Sequence, residues 1–211
     1  TFRLSGRSNS RLKAKIGGNL TSRNISYLHL GLDFKRLTRV LEQYTAKVMV
    51  GPFYESFQFR NSVTLPGRIP FSFGTNTTIN HRDYLNLSDY LLGKPDLTVL
   101  DRVDRKFSVF MGFPLSRKVG FKSEFSYLLN KDRFNNLPQV NTNEELDELK
   151  LSGWRAELKL YHDDLNYRQF PTTGSRFELS VNQYYTSSNY SPGHTSNIPA
   201  IENQDQHWFR L

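Results

Sequence analysis

The chain has 211 residues, a formal charge of +8, no cysteine, 37% hydrophobic residues and 14% aromatics, with 16 Phe and 11 Tyr. No apolar run approaches the roughly 18 residues of a membrane helix, which excludes helical spans. The lack of cysteine excludes a disulfide framework and thiolate metal sites. The positive charge invites a nucleic-acid reading, but the cations are scattered singly along alternating stretches. No basic helix, zinc-finger or RNP-like motif aims them, so nucleic acid is not an expected partner.

In chain order, residues 2–8 read as a first strand that the chain enters partway. In a second, Leu12, Ala14, Ile16, Gly18 and Leu20 alternate with Lys13, Lys15, Gly17 and Asn19; in a third, Leu28, Leu30, Leu32 and Phe34 alternate with His29, Gly31 and Asp33. Residues 34–44 also fit a short helix on spacing, but their flanks favour a turn into a fourth strand over 41–50. Gly51-Pro52 ends that strand, because proline cannot continue the ladder and glycine permits a reversal. A fifth strand follows with Phe53, Glu55, Phe57 and Phe59 on one face, then a turn at Leu65-Pro66-Gly67-Arg68 and a sixth over 69–82.

Residues 84–103 read as a long polar connection. A seventh strand places Phe107, Val109, Met111 and Phe113 on one face, and a tight turn over 114–118 leads to an eighth with Val119, Phe121, Phe125 and Tyr127. Residues 129–150 read as a second long connection, asparagine-rich and acidic over 144–148.

The organising stretch is 154–185. In its first arm Trp154, Ala156, Leu158, Leu160 and His162 share one face, and Arg155, Glu157, Lys159 and Tyr161 the other. In its second arm Phe177, Leu179, Val181 and Tyr185 oppose Arg176, Glu178, Ser180, Asn182 and Tyr184. This is a period of two, which a helix cannot segregate. Each arm is about ten residues, the length a tilted transmembrane strand needs and nearly twice that of a common soluble strand. A long connection over 186–205 precedes a strand just beginning at His207.

Over the latter half the connections alternate short and long. Up-and-down outer-membrane barrels sort their loops in this way, with short periplasmic turns and longer extracellular loops; a soluble sandwich has no reason to. The expected fold is therefore all-β, an antiparallel up-and-down transmembrane β-barrel, here ten strands and part of an eleventh forming residues 1–211 as a single partial domain. Both ends read as cut from a longer chain. Phe107, Val109, Met111, Phe177, Leu179 and Val181 are the expected lipid-facing residues; Lys122, Glu124, Arg155, Glu157, Arg176 and Glu178 are the expected lumen-facing ones.

The stretch Asp164-Leu165-Asn166-Tyr167-Arg168-Gln169-Phe170-Pro171-Thr172-Thr173-Gly174 resembles the D-x-N-x-x-x-F-P-x-x-G turn of the Omp85 (bacterial surface antigen D15) superfamily of outer-membrane barrels. Gly51-Pro52-Phe53-Tyr54-x-Ser56-Phe57, Leu65-Pro66, Ile69-Pro70-Phe71 and Asn80-x-x-Asp83-Tyr84 are similar to the C-terminal barrel of Bacteroidetes patatin-like phospholipases. The resemblance implies a section of a barrel of about sixteen strands, placed in the bacterial outer membrane by the barrel-assembly machinery. Its implied work is to anchor, and help export or display, an attached lipid hydrolase. Asp164, Asn166, Phe170, Pro171 and Gly174 carry only structural roles: Phe170 as an interface anchor, Pro171 fixing φ, Gly174 permitting a positive φ.

No catalytic constellation accompanies this. A patatin-like hydrolase needs a G-x-S-x-G elbow; none occurs, and Gly6-Arg7-Ser8-Asn9-Ser10 lacks its last glycine. The five histidines have neither H-x-H nor H-x-x-x-H spacing, so neither a metal nor a cofactor is expected. Asp163 and Asp164 beside His162 read as turn-capping residues, and the acidic run at 144–148 as a solvated loop. The V/I-R-G-F/Y motif of the Omp85 lumen loop is also missing from the sequence. Two rival readings stay open: a protein-insertion or two-partner secretion pore of the same superfamily, and a soluble β-rich binding protein.

Overall fold

The structure is a computed structural model that describes residues 9–19, 27–83, 100–134, 145–165, 172–193, 196 and 199–210. These form ten strands: β1 (Asn9–Asn19), β2 (Tyr27–Leu37), β3 (Leu41–Val50), β4 (Tyr54–Leu65), β5 (Phe71–Asp83), β6 (Leu100–Pro114), β7 (Val119–Phe134), β8 (Asp147–Asp163), β9 (Arg176–Ser191) and β10 (Ile201–Arg210). Each pairs antiparallel with its chain neighbours in one open sheet ordered β1 to β10. Consecutive pairing is what short connections between long amphipathic strands dictate.

The sheet has no second layer among the described residues, and its burial is inverted. One large hydrophobic side chain, Phe110, is buried, whereas Ser108, Glu124, Ser126, Asp147, Glu157, Asn182 and Thr186 are buried polar residues on the same face as Phe110. The opposite face exposes Leu12, Ile16, Leu30, Phe57, Phe73, Phe107, Leu158 and Phe209. Side chains on one face of a lone sheet bury each other when the sheet curves toward them, so the polar face is the concave one.

Several sequence expectations need correction. The stretch 2–8 lies outside the described residues, so the ten strands begin at the second one expected. The strand expected to be just beginning at His207 is the full-length β10. The connections at 84–103, 129–150 and 186–205 were drawn too wide: β6 begins at Leu100, β7 runs to Phe134, β8 begins at Asp147, and β9 and β10 run to Ser191 and from Ile201. In those outer portions both faces carry polar residues, so the period-two signal fades although the backbone ladder continues. The acidic run at 144–148 is correspondingly not all loop, because Asp147 and Glu148 open β8.

Residues 38–40, 66–70, 115–118 and 164–175 join strands at one end of the sheet, and 20–26, 51–53, 84–99, 135–146 and 192–200 at the other. Sorting by length holds except at 51–53, which is tight, and 164–175, which is long. The first of these ends at Tyr54 after Gly51-Pro52; nearby, the Asp83 amide donates to the Phe53 carbonyl at 3.1 Å. At 38–40 the chain turns with a Thr38 N to Val40 O bond of 3.0 Å, and no helix forms over 34–44.

Two glycines on the concave face set how closely strands and rings approach. Gly74 pairs with Phe110 across β5 and β6, and the Phe110 ring lies where a side chain at 74 would stand, its Cζ 2.9 Å from the position of a Cβ. A Cβ there would also overlap the Asn61 carbonyl oxygen. Gly120 pairs with Tyr161 across β7 and β8, and a Cβ at 120 would overlap the Tyr161 ring. The clash at Gly74 involves backbone, that at Gly120 a side chain. Gly74→Ala is therefore expected to cost about 1–3 kcal/mol of overpacking. Gly120→Ala is expected to be relieved in part by Tyr161→Ala, giving a favourable coupling in a double-mutant cycle. Urea midpoints in detergent for the four variants check both; additive effects at 120 and 161 would refute the second.

Candidate functional site

The functional feature of the sheet is its two faces. On the convex face the outward positions read Leu28-Leu30-Leu32-Phe34 on β2, Tyr44-Ala46-Val48-Val50 on β3, Phe107-Val109-Met111-Phe113 on β6 and Trp154-Ala156-Leu158-Leu160 on β8. Phe107, Val109, Met111, Phe177, Leu179 and Val181 all lie on this face with exposures of 38–59%. Strand pairing makes the band continuous: Phe113 opposes Phe121, Phe121 opposes Leu160, and Leu160 opposes Leu179.

Aromatic rings mark one border of the band. Tyr127 and Trp154 pair in register with ring centroids 4.5 Å apart, Phe125 stacks on Trp154 at 5.0 Å, and Trp154 pairs with Tyr185. Beyond them, toward the longer connections, the convex face turns polar, with Lys131, Arg133, Glu148, Lys150, Ser187 and Asn189. Beyond the other border, Arg36 grips Glu42 with two bonds of 3.0 and 2.9 Å.

The concave face is built of charge rows. Glu124 on β7 stands opposite Glu157 on β8, and Lys122 opposite Lys159 in the adjacent row. Like charges thus face each other across strands while opposite charges alternate along each strand. This is tolerable only because every carboxylate is held by cations. The Glu124 carboxylate accepts from Lys106 Nζ and Lys122 Nζ, both at 2.6 Å. Glu157 meets Arg155 at 2.9 Å and Lys159 at 3.7 Å. Lys159 also donates to Glu178 at 2.7 Å, with Arg176 at 4.0 Å on its other side. Arg155 donates twice to Asn182 Oδ1, at 3.0 and 2.8 Å. The guanidinium of Arg60 lies 4.5 Å from the Phe110 ring centroid and the Lys122 ammonium 5.4 Å from it, cation–π contacts that join β4, β6 and β7.

All six residues expected to face the lumen share this face, Lys122 and Glu124 in one cluster with Lys106, and Arg155, Glu157, Arg176 and Glu178 in a second with Lys159 and Asn182. Sequence reading missed Lys106 and Asn182 as members, though strand parity places both there. It also missed Lys131, Lys150 and Glu148, which fall in a stretch read as loop.

At the turn of the D-x-N-x-x-x-F-P-x-x-G stretch, Asn166, Phe170 and Pro171 lie outside the described residues. Asp164 and Gly174 are brought together: the Asp164 amide donates to the Ser175 carbonyl at 3.0 Å, and Gly174 has a φ of 103°, with no room for a Cβ beside the Asp164 carbonyl. Lys118 from the neighbouring turn pairs with Asp164 at 2.5 Å, and its carbonyl accepts from the Asp163 amide at 2.9 Å. Asp163 Oδ1 accepts from the Leu165 amide at 3.3 Å. Both aspartates are engaged in fastening two adjacent turns. Among the described residues no group of three His, Cys, Asp or Glu is placed to hold a metal.

Glu148 sits beyond the aromatic border and outside the apolar band. Bonds from Lys131 at 2.7 Å and Lys150 at 2.6 Å hold its carboxyl down to about 2, against a lesser opposing effect of burial.

No protein-family profile matches this sequence, and no curated protein matches it. Among solved structures, the crystal structure of BamA from Haemophilus ducreyi lacking POTRA domains 1–3 has a similar fold, with a TM-score of 0.57 and 13% identity over 87% of this chain. The chain spans 37% of that BamA chain. At this identity the likeness establishes the fold alone: ten antiparallel up-and-down strands arranged like a section of the BamA barrel.

Two outcomes follow. Because the folded-state pKa of Glu148 lies below its ordinary value of 4.5, its contribution to stability is full above that value and is lost as pH falls toward 2. The difference in melting temperature between wild type and Glu148→Gln should accordingly shrink between pH 5 and pH 2. A constant difference would refute the linkage. On the concave face, Glu124→Ala strands two lysines beside a buried site and should cost about 1–3 kcal/mol, whereas Glu178→Ala, at an exposed pair, should cost under about 1 kcal/mol. Chemical unfolding in detergent ranks the two.

Proposed function

We propose that this chain is a membrane-spanning section of a bacterial outer-membrane β-barrel of the Omp85 type, inserted by the barrel-assembly machinery, whose convex face meets lipid and whose concave face lines a wet lumen. The observation that carries the reading is the continuous apolar band on an otherwise polar chain, bordered by aromatic and charged residues at one end and by charged pairs at the other. Water gives that band no reason to exist, because it buries nothing against the other described residues. A bilayer does, and it also requires the closed backbone ladder that paired strands supply. A soluble β-rich protein would carry the reverse arrangement, with apolar residues on the buried face.

Within this class, the resemblance of the turn motifs to patatin-like phospholipase barrels favours an anchor that holds and helps export or display an attached hydrolase domain. The likeness to the BamA fold favours a second reading, a barrel that inserts or secretes proteins. Neighbouring domains in the parent chain discriminate them: an upstream domain with a G-x-S-x-G elbow supports the first, and POTRA domains alone support the second.

The membrane reading is tested by depth. Val109→Arg and Val181→Arg, in mid-band, should each cost about 2–4 kcal/mol, and Phe177→Arg, at the band's edge, about 0–1 kcal/mol. The readout is the fraction of protein that reaches the outer membrane in the compact, heat-modifiable form. Unimpaired assembly of both mid-band variants would overturn the assignment of faces.

A further inference from the structure

The convex face beyond the aromatic border holds a groove of about 380 Å³ between β6, β7, β8 and β9, with Arg105, Lys131 and Lys150 on its walls and Tyr127 and Leu129 among its apolar lining. We infer that this groove binds the phosphorylated headgroup of a lipid in the leaflet at the long-loop end of the barrel. The inference rests on the membrane reading above, and it adds a specific ligand class to that reading.

The argument is one of charge and position. Lys131 and Lys150 are directly paired across β7 and β8, a like-charge pair that strand pairing penalises, and Arg105 lies diagonally from Lys131, opposite Leu129. A single carboxylate, Glu148, holds both lysines. Each ammonium has three donors, so each retains donors for a further acceptor. Arg105 has no carboxylate partner among the described residues. Arg133, also on this face, is engaged differently: it lies opposite Asp101 and 3.4 Å from Glu148. The acidic neighbour Asp101 is in turn held by His81 at 2.9 Å. Three cations against one carboxylate leave an excess positive charge that a phosphate complements.

Position makes the source a lipid. Lys131 is two outward positions beyond Tyr127 on β7, and Lys150 two beyond Trp154 on β8, so the cations stand just past the rings that sit at a headgroup boundary. Leu129 lies between Tyr127 and Lys131, where an acyl chain leaving the headgroup would pass. At the opposite border Arg36 is matched one to one by Glu42.

The test uses the full-length protein carrying this chain, purified in detergent, with native mass spectrometry to titrate bisphosphorylated lipid A, dephosphorylated lipid A and inorganic phosphate. Each surface cation is expected to contribute about fivefold in affinity. Bisphosphorylated lipid A should therefore bind more tightly than the dephosphorylated form, with about fivefold loss in Arg105→Gln and about a hundredfold loss in the triple variant Arg105→Gln, Lys131→Gln, Lys150→Gln. Lys47→Gln, on the concave face, should leave affinity unchanged. Equal binding of the two lipids, equal binding by wild type and variants, or competition by inorganic phosphate at the lipid's own concentration would overturn the inference. Should the triple variant lack the heat-modifiable form, Arg105→Gln and Lys150→Gln decide alone. Protein washed from membranes by alkaline carbonate would defeat the barrel reading itself; protein that stays embedded yet shows no phosphate preference defeats only this inference.

Discussion

The structure depends on one constraint: every backbone amide in a lone sheet must be satisfied by a neighbouring strand, because no second layer among the described residues shields it. Pairing β1 through β10 in sequence meets that need except at the two outer edges and at the register shift between Ile201 and Gln204, where the Asn203 amide donates to Asn189 Oδ1 at 2.7 Å. Once the ladder is fixed, side-chain parity is fixed with it, and the sequence has only to choose which parity is apolar. It chooses the convex one on β1 to β9; on β10 Trp208 stands on the concave side, stacked on Tyr184. The usual hydrophobic core is replaced by a concave polar surface in which Phe110 is, among the described residues, the one large apolar residue buried.

That concave surface is stable because its charges are arranged in rows. Glu124 facing Glu157 and Lys122 facing Lys159 would repel in isolation. The rows are adjacent, so each carboxylate reaches a cation along its own strand, and Glu124 and Glu178 also reach one on a neighbouring strand. Glu124 thereby ties β7 to β6 through Lys106, Glu178 ties β9 to β8 through Lys159, and Glu157 is held within β8 by Arg155 and Lys159. Small residues finish the fit, with Gly74 and Gly120 leaving space for the rings of Phe110 and Tyr161.

Most of this was legible in the sequence where one face is apolar. The alternation of Trp154 through His162 and of Phe177 through Tyr185 defines strands and faces without any tertiary information, and β3 has the same bounds in the structure as in the pattern. Legibility fails where both faces become polar: Lys131, Glu148, Lys150 and Ser187 lie on ordered strands, yet nothing in their hydropathy distinguishes them from loop. The turn over 164–175 was read from its motif as a connection, and Asp164 and Gly174 hold its base, but the bonds from Lys118 that fasten it to the adjacent turn join residues far apart in sequence. Cross-strand partners such as Lys106 for Glu124 likewise depend on register, which alternation alone leaves undetermined by any even shift.

Strand length adds a last consequence. β3 has 10 residues and β4 has 12, joined at the far end by the tight Gly51-Pro52 turn, whereas β6 to β9 run 15 to 17 residues. The rim at that end is therefore stepped, low over β3 and β4 and high over β6 to β9. A large molecule reaching that edge over the charged concave face meets a wall on one side and a sill on the other, so its approach is directional before any specific contact is made.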